Sequence, residues 1–352
     1  MLGRGIDQVL RHPGDSDLYE PLVGDARDYV ALAESANGPI PKPVGDRYVW
    51  GDAISAMEHA RARIINLETS ITTSHDFAPK GINYKMNPKN IGCLTAAGVD
   101  CCVLANNHVL DWGVAGLVET LEALQSAGIH SAGAGRNAAE AAAPAIVDLG
   151  GGHRVLVFGF ALESSGVPPS WSAGPSRPGV NLLSDPSEKT IAAIADRARM
   201  ARRDGDLLIA SLHWGGNWGY AIPPEHRILA HRLIDAGFAV IHGHSSHHPL
   251  AVEIYQGRPV LYGCGDFISD YEGIAGYEAF RGDLAILYLP QLLVPSGALI
   301  SLTMHSFCVR NFRLHHASAA DAAWLQTTLD RESTPFGTRM TLEAVNLLSA
   351  TW

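Results

Sequence analysis

The sequence predicts an α/β protein with a largely parallel central sheet, and three observations carry that prediction. From residue 52 onward, apolar runs of strand length alternate with amphipathic runs of helix length. The helical runs are punctuated at their ends: NPKNIGCLTAAG opens on Asn-Pro and closes at Gly98, and PPEHRILAHRLIDAG carries proline at its start. The late stretches AVEIYQG, RPVLYGCG, GDLAILYLP and SLTMHSFCVRNFRL have no helix between them, so they are expected to form a second, antiparallel sheet.

Taken in order, AISAMEHARA reads as a helix and RIINLETSI as a buried strand running into a loop. VDCCVLANN is a strand, GVAGLVETLEALQSAG a helix closing at Gly128, and GIHSAGA a short strand. Then HRVLVFGFAL, DLLIASLHW and FAVIHGH are strands, with KTIAAIADRARMARRD and PPEHRILAHRLIDAG as helices between them. Residues 12–46, rich in Pro, Gly and Asp, are expected to be a surface excursion. DAAWLQTTLDRES and TLEAVNLLSA are expected to form a helical tail over 317–352. No repeat or linker interrupts the pattern. One domain over 1–352, a two-sheet β-sandwich flanked by helices with its motifs within 50–290, is the simplest reading.

Composition narrows the class of function. Hydrophobic residues make up 47% and charged residues 18% of the chain, which suits a globular core. With 26 Lys+Arg against 36 Asp+Glu the net charge is −10, and no basic run stands out. That excludes a general nucleic-acid or anionic-membrane binder. No apolar stretch approaches the ~18–20 residues that span a bilayer, and MLGRGIDQVLRHPGD has no apolar centre of a secretory signal. Five cysteines without a CxxC spacing read as buried, reduced thiols. A soluble cytoplasmic protein with no membrane partner is expected.

The polar clusters fall at the C-terminal ends of the expected strands, where open α/β sheets place their ligand sites. Glu68 ends RIINLE; Asn106, Asn107 and His108 end VDCCVLANNH; His213 ends DLLIASLH; and His244, His247 and His248 follow FAVIHGH. Imidazole with carboxylate and amide oxygen suits a divalent cation, and no thiolate competes at these ends. His242 is expected to turn to the opposite face and be structural. Aromatic residues crowd the same motifs: Trp112 in VLDWG, and Trp214, Trp218 and Tyr220 in HWGGNWGY.

The motifs NLETSIT, LANNHVLDWG, LHWGGNWGY and GHSSHHP followed by GRPVLYGCGDF, in that order, resemble the CapA-like branch of the metallophosphatase (calcineurin-like) superfamily. The resemblance implies a four-layer α/β/β/α sandwich with one or two divalent metals at one edge; Mn, Zn, Fe and Ca are not distinguished. Glu68 would be the bridging carboxylate. Asn107, His213 and His244 would hold one metal and His247 would reach the other. His108 with Asp111 would form an acid/base dyad, as their i,i+3 spacing at a strand-to-helix turn also allows. Members of the family begin with a strand ending in Gly-Asp, which would precede MLGRGID. Either the start is shortened or misassigned, or one metal position is weakened or lost. Many members also read Asn where GCGDF has Asp266.

Within that branch, the anchor-free chain resembles the soluble peptide epimerases found with lasso peptides. The leading expectation is therefore a metal-dependent isomerase inverting the Cα centre of a bulky apolar C-terminal residue of a ribosomal precursor peptide. His108 would be one acid/base, and its counterpart His248, Asp266 or Asp7. The substrate, a peptide or small molecule, would meet Asn106, Trp112, Trp214, Trp218, Tyr220, Arg4 and Lys85. The alternatives are a phosphoesterase acting on a small ester, and a noncatalytic CapA-type protein of polyglutamate capsule assembly.

Overall fold

The computed structural model describes residues 1–352. Parallel pairing dominates its first two sheets, as the alternating helices require. Ile64–Asn66, Cys101–Val103 and His130–Ala132 form a three-stranded parallel sheet in that order. A seven-stranded sheet runs Leu182–Leu183, His153–Leu162, Leu207–His213, Val240–His244, Arg258–Leu261, Val252–Tyr255, with Ala145–Gly150 added beside His153–Leu162. A five-stranded antiparallel sheet runs Leu284–Leu293, Ala298–Arg310, Leu347–Thr351, Arg339–Ala344, with Arg313–His316 also on Ala298–Arg310. The predicted α/β architecture of several sheets flanked by helices is the one observed.

Helices Glu188–Ala201 and Pro224–Asp235 cover the outer face of the seven-stranded sheet. Ile191, Ile194, Ala198, Leu229 and Leu233 pack there against Phe158, Leu208 and Ile241. The five-stranded sheet is covered by Ala319–Ser333, through Leu325 and Leu329. Each of these covering helices is buried along one stripe, the pattern of an amphipathic helix on a sheet.

Three expectations are corrected. Val252–Tyr255 and Arg258–Leu261 do not join the second sheet; Arg258–Leu261 runs parallel to Val240–His244 and extends the central one. The tail is helical only over Ala319–Ser333. TLEAVNLLSA instead supplies two antiparallel strands, Arg339–Ala344 and Leu347–Thr351. Alternate burial of Met340, Leu348 and Ala350 against the sheet outweighs the helical propensity of Leu, Glu and Ala. Residues 12–46 include a helix, Arg27–Asn37, which buries Tyr29, Val30 and Ala33.

Candidate functional site

Strand register brings the polar residues together. In the parallel pair Leu207–His213 and Val240–His244, His213 lies opposite His244 and Ser211 opposite His242. The Nδ1 atoms of His213 and His244 are 2.8 Å apart, and His244 Nε2 lies 2.9 Å from Ser211 Oγ. Gly243 between the two histidines is required by a close approach: a Cβ there would lie 2.4 Å from the Tyr262 carbonyl oxygen. His242 does not turn away. Residues two apart on a strand share a face, and His242 Nδ1 also meets Ser211 Oγ at 2.9 Å. The expectation that it faces the other side is wrong on that geometry.

From the neighbouring sheet, Glu68 and Asn107 reach His213. Asn107 Oδ1 is 3.1 Å and Glu68 Oε1 3.8 Å from His213 Nε2, and Glu68 Oε1 is 4.0 Å from His108 Nε2. Burial alone would raise the Glu68 carboxyl, but the imidazoles of His213, His108 and His247 outweigh it and hold the pKa below its ordinary value. Burial pushes His213 down to about 4 and His244 well below the ordinary imidazole range, so both rings are neutral, the form that binds a cation. No group of three or more His, Cys, Asp or Glu side chains is drawn into a finished cage. His244 has both ring nitrogens turned to His213 and Ser211, so here it orients His213 rather than pointing at the Glu68–Asn107 oxygens.

His108 and Asp111 form the expected pair: His108 Nδ1 is 2.7 Å from Asp111 Oδ2. Asp111 is fully buried and also accepts from the Tyr84 amide at 2.7 Å and from Lys80 Nζ at 2.7 Å. Lys80, which sequence reasoning left aside, thus completes the dyad; it also donates to the Asn107 carbonyl. Asn66 was missed as well. Its Nδ2 donates to Glu68 Oε2 at 2.8 Å, and its Oδ1 accepts from Asn106 Nδ2 at 3.0 Å. A strand-end amide two residues before a carboxylate was the available signal, but only register across two strands shows its partner.

After His244 the chain turns sharply at Ser245, whose φ of 116° is a strained, left-handed value. The turn carries His247 to Asp266, with Nδ1 3.1 Å from both carboxylate oxygens. Burial lowers the His247 pKa, but Asp266 more than offsets it, and the net shift is upward. His248 is not suited to acid/base work. Its Nε2 accepts from the Gly219 amide at 3.2 Å and its Nδ1 faces the Pro249 carbonyl at 3.2 Å, while burial pushes it down to about 4.

The other expected site residues are committed elsewhere. Asp7 accepts from Gly14 N at 2.7 Å, Asn87 N at 2.9 Å and Asn90 Nδ2 at 2.7 Å. Arg4 is buried and forks onto Asp270 at 3.0 and 2.8 Å, with Glu20 at 2.9 Å. Asn106 clamps Asn66, the Leu67 carbonyl and the His108 amide. Trp112 donates to the Tyr84 carbonyl at 3.1 Å beneath the Lys85 ammonium, 3.8 Å from its ring. Trp214 donates to the Tyr262 carbonyl at 2.8 Å and stacks on His226. Both tryptophans are core side chains. Trp218 differs: it is half-buried, 5.4 Å from His247 between ring centroids, and stacked on the exposed Tyr277 at 4.1 Å. Tyr220 packs edge-on to His248 beside it.

Comparison with known proteins adds the biological setting. The model of a bacterial capsule synthesis protein family, PGA_cap, matches residues 1–271. A probable polyglutamine synthesis accessory protein of Mycobacterium tuberculosis is 49% identical over 352 residues, covering 99% of this chain and 93% of that one. The PGA biosynthesis protein CapA of Bacillus subtilis is 28% identical over 207 residues, 58% of this chain and 52% of its own. The capsule biosynthesis protein CapA of Bacillus anthracis is 27% identical over 195 residues, 55% and 46% respectively.

These findings overturn the expected peptide isomerase: the relatives are named for polymer and capsule synthesis, none for epimerisation. The structural reason lies in the tryptophans. Two of the three that tilted the reading toward a bulky peptide side chain are interior packing. No helix is long and apolar enough to cross a membrane.

Proposed function

Since the chain belongs to the bacterial capsule synthesis family PGA_cap, we propose that it is an accessory protein in making a glutamate-type polyamide of the capsule kind, working through a divalent-metal centre at the strand ends. The observation that carries the polymer reading is the 49% identity to a polyglutamine synthesis accessory protein along nearly the whole of both chains. Support for the metal comes from the donor set. The oxygens of Glu68 and Asn107 approach His213 Nε2 at 3.8 and 3.1 Å. Ligands bound at about 2.0–2.2 Å sit roughly 3–3.5 Å from one another, so this spacing suits neighbours around one ion.

Glu68, Asn107 and His213 would hold that ion, with His247 beside Asp266 available on the other side. When bound, it would supply positive charge and Lewis acidity toward carboxylate or amide oxygens of the polymer. The chain's own groups do the rest. His244 and Ser211 fix the orientation of His213, Asn66 fixes Glu68, and Asp111 with Lys80 fixes His108 so that its Nε2 faces Glu68.

The test is genetic and chemical together. In a polymer-producing strain, the chromosomal copy is replaced by Glu68→Gln or His213→Ala and the anionic polymer is quantified. A fall to the level of the deletion strain, with the variant protein still present, is expected. Unchanged polymer output in the deletion strain would sink the reading.

A further inference from the structure

The three-stranded and five-stranded sheets each end on an unpaired strand, and both of these strands border one cavity. Ile64–Asn66 is the outer strand of the first sheet and Leu284–Leu293 of the second. Residues of both line a cavity of about 850 Å³. Val155, Ile209 and Val240, from the inner face of the seven-stranded sheet, line it as well.

Backbone groups of a strand point alternately to its two sides. The Arg63 carbonyl and the Leu67 amide are bonded toward the Cys101–Val103 side, to Cys101 N and Val103 O. The N–H and C=O of Ile64 and Asn66 therefore face away from that partner, toward the free edge. On Leu284–Leu293, the Asp283 carbonyl accepts from Val309. The same alternation turns the backbone groups of Ile286 and Tyr288 to the free edge of that strand. Pro290, in the same phase, has no N–H to lose there, as suits an edge strand.

We propose that this cavity is a binding site for one extended, apolar polypeptide strand of about six residues, supplied by a second polypeptide. Such a strand would hydrogen-bond to both edges and join the two sheets into one. A hydrocarbon chain matches the apolar lining equally well, but it would leave two rows of backbone donors and acceptors unpaired away from water. A peptide backbone offers both at every residue. Exposed His59, Arg61 and Gly150 border the cavity at one end, which gives a partner a route in, and Glu68, His247 and Asp266 border it at the other. The site is therefore continuous with the strand-end cluster.

Amide exchange of the purified full chain, read over residues 64–67 and 284–290, tests this. A capped six-residue Val/Ile peptide, the same peptide with a central proline, and a saturated fatty acid of similar length are the probes. The Val/Ile peptide should slow exchange in both segments at least tenfold, and the proline peptide should not. Ile286→Pro removes one edge-facing N–H that the existing ladder does not use. It should abolish protection of residues 64–67 while far-UV circular dichroism is retained. Absence of protection with the Val/Ile peptide overturns the proposal. So does protection by the fatty acid alone, or protection seen only when the segment is fused ahead of Met1, which would make the occupant part of the same chain.

Discussion

His213 and His244 stand opposite each other at the ends of two paired parallel strands, with their Nδ1 atoms 2.8 Å apart and both rings buried. Such a contact requires at least one neutral ring, so that one nitrogen donates and the other accepts. Burial, which disfavours the charged form, keeps both neutral.

The pH dependence of stability follows. His213, His242 and His248 are each pushed down to about 4, chiefly by burial. In the unfolded chain each would titrate near 6.5. Between those values the unfolded state binds more protons, so stability falls as pH falls from about 6.5 toward 4. A wholly buried histidine such as His213 would lose about 2 kcal/mol by pH 5. Urea unfolding of the metal-free protein at pH 7.5 and pH 5 measures it. Equal midpoints would show that these rings are not neutral in the fold.

Metal affinity should separate direct donors from orienting residues. His213→Ala and Glu68→Gln should weaken Mn or Zn binding in calorimetry by more than 100-fold, whereas His244→Ala should cost roughly 10–100-fold, the range for outer-sphere partners. A larger loss for His244→Ala than for His213→Ala would put His244 on the ion.

Asp111 controls the proton on His108. Asp111→Asn replaces the acceptor of His108 Nδ1 and breaks the ion pair with Lys80. The His108 ring should leave the Nδ1–H form, visible in its ¹⁵N shifts, and stability should drop by roughly 1–3 kcal/mol. An unchanged tautomer would mean that Lys80 or Tyr84 suffices to set it.

Gly243→Ala should destabilise the protein by roughly 1–3 kcal/mol, because its methyl group would meet the carbonyls of Tyr262 and Leu261 at 2.4 and 2.5 Å. Thermal melts read the loss. A neutral substitution would mean that the strand can move away from Tyr262 freely.

Trp214→Ala tests whether that ring is structural. Removing a buried tryptophan that stacks on His226 should cost about 3–5 kcal/mol and leave the metal affinity within a few-fold of the parent. Trp218→Ala, at the half-exposed rim beside His247, should do the opposite: little loss of stability.

The sequence by itself determined the fold class and the chemistry of the strand ends. Period, punctuation and residue type are local signals, and Glu68, Asn107, His108, His213 and His244 stand at the ends of runs that could only be strands. Only the tertiary structure decided how those residues divide their work. His244 turns to His213 and Ser211, His248 is sealed by backbone partners, and Lys80 and Asn66 enter as supports. Those assignments depend on register between strands far apart in the chain, which no local pattern encodes. The same holds for TLEAVNLLSA, where pairing with a strand from Ala298–Arg310 overrode helical propensity, and for the tryptophans, whose burial no motif revealed.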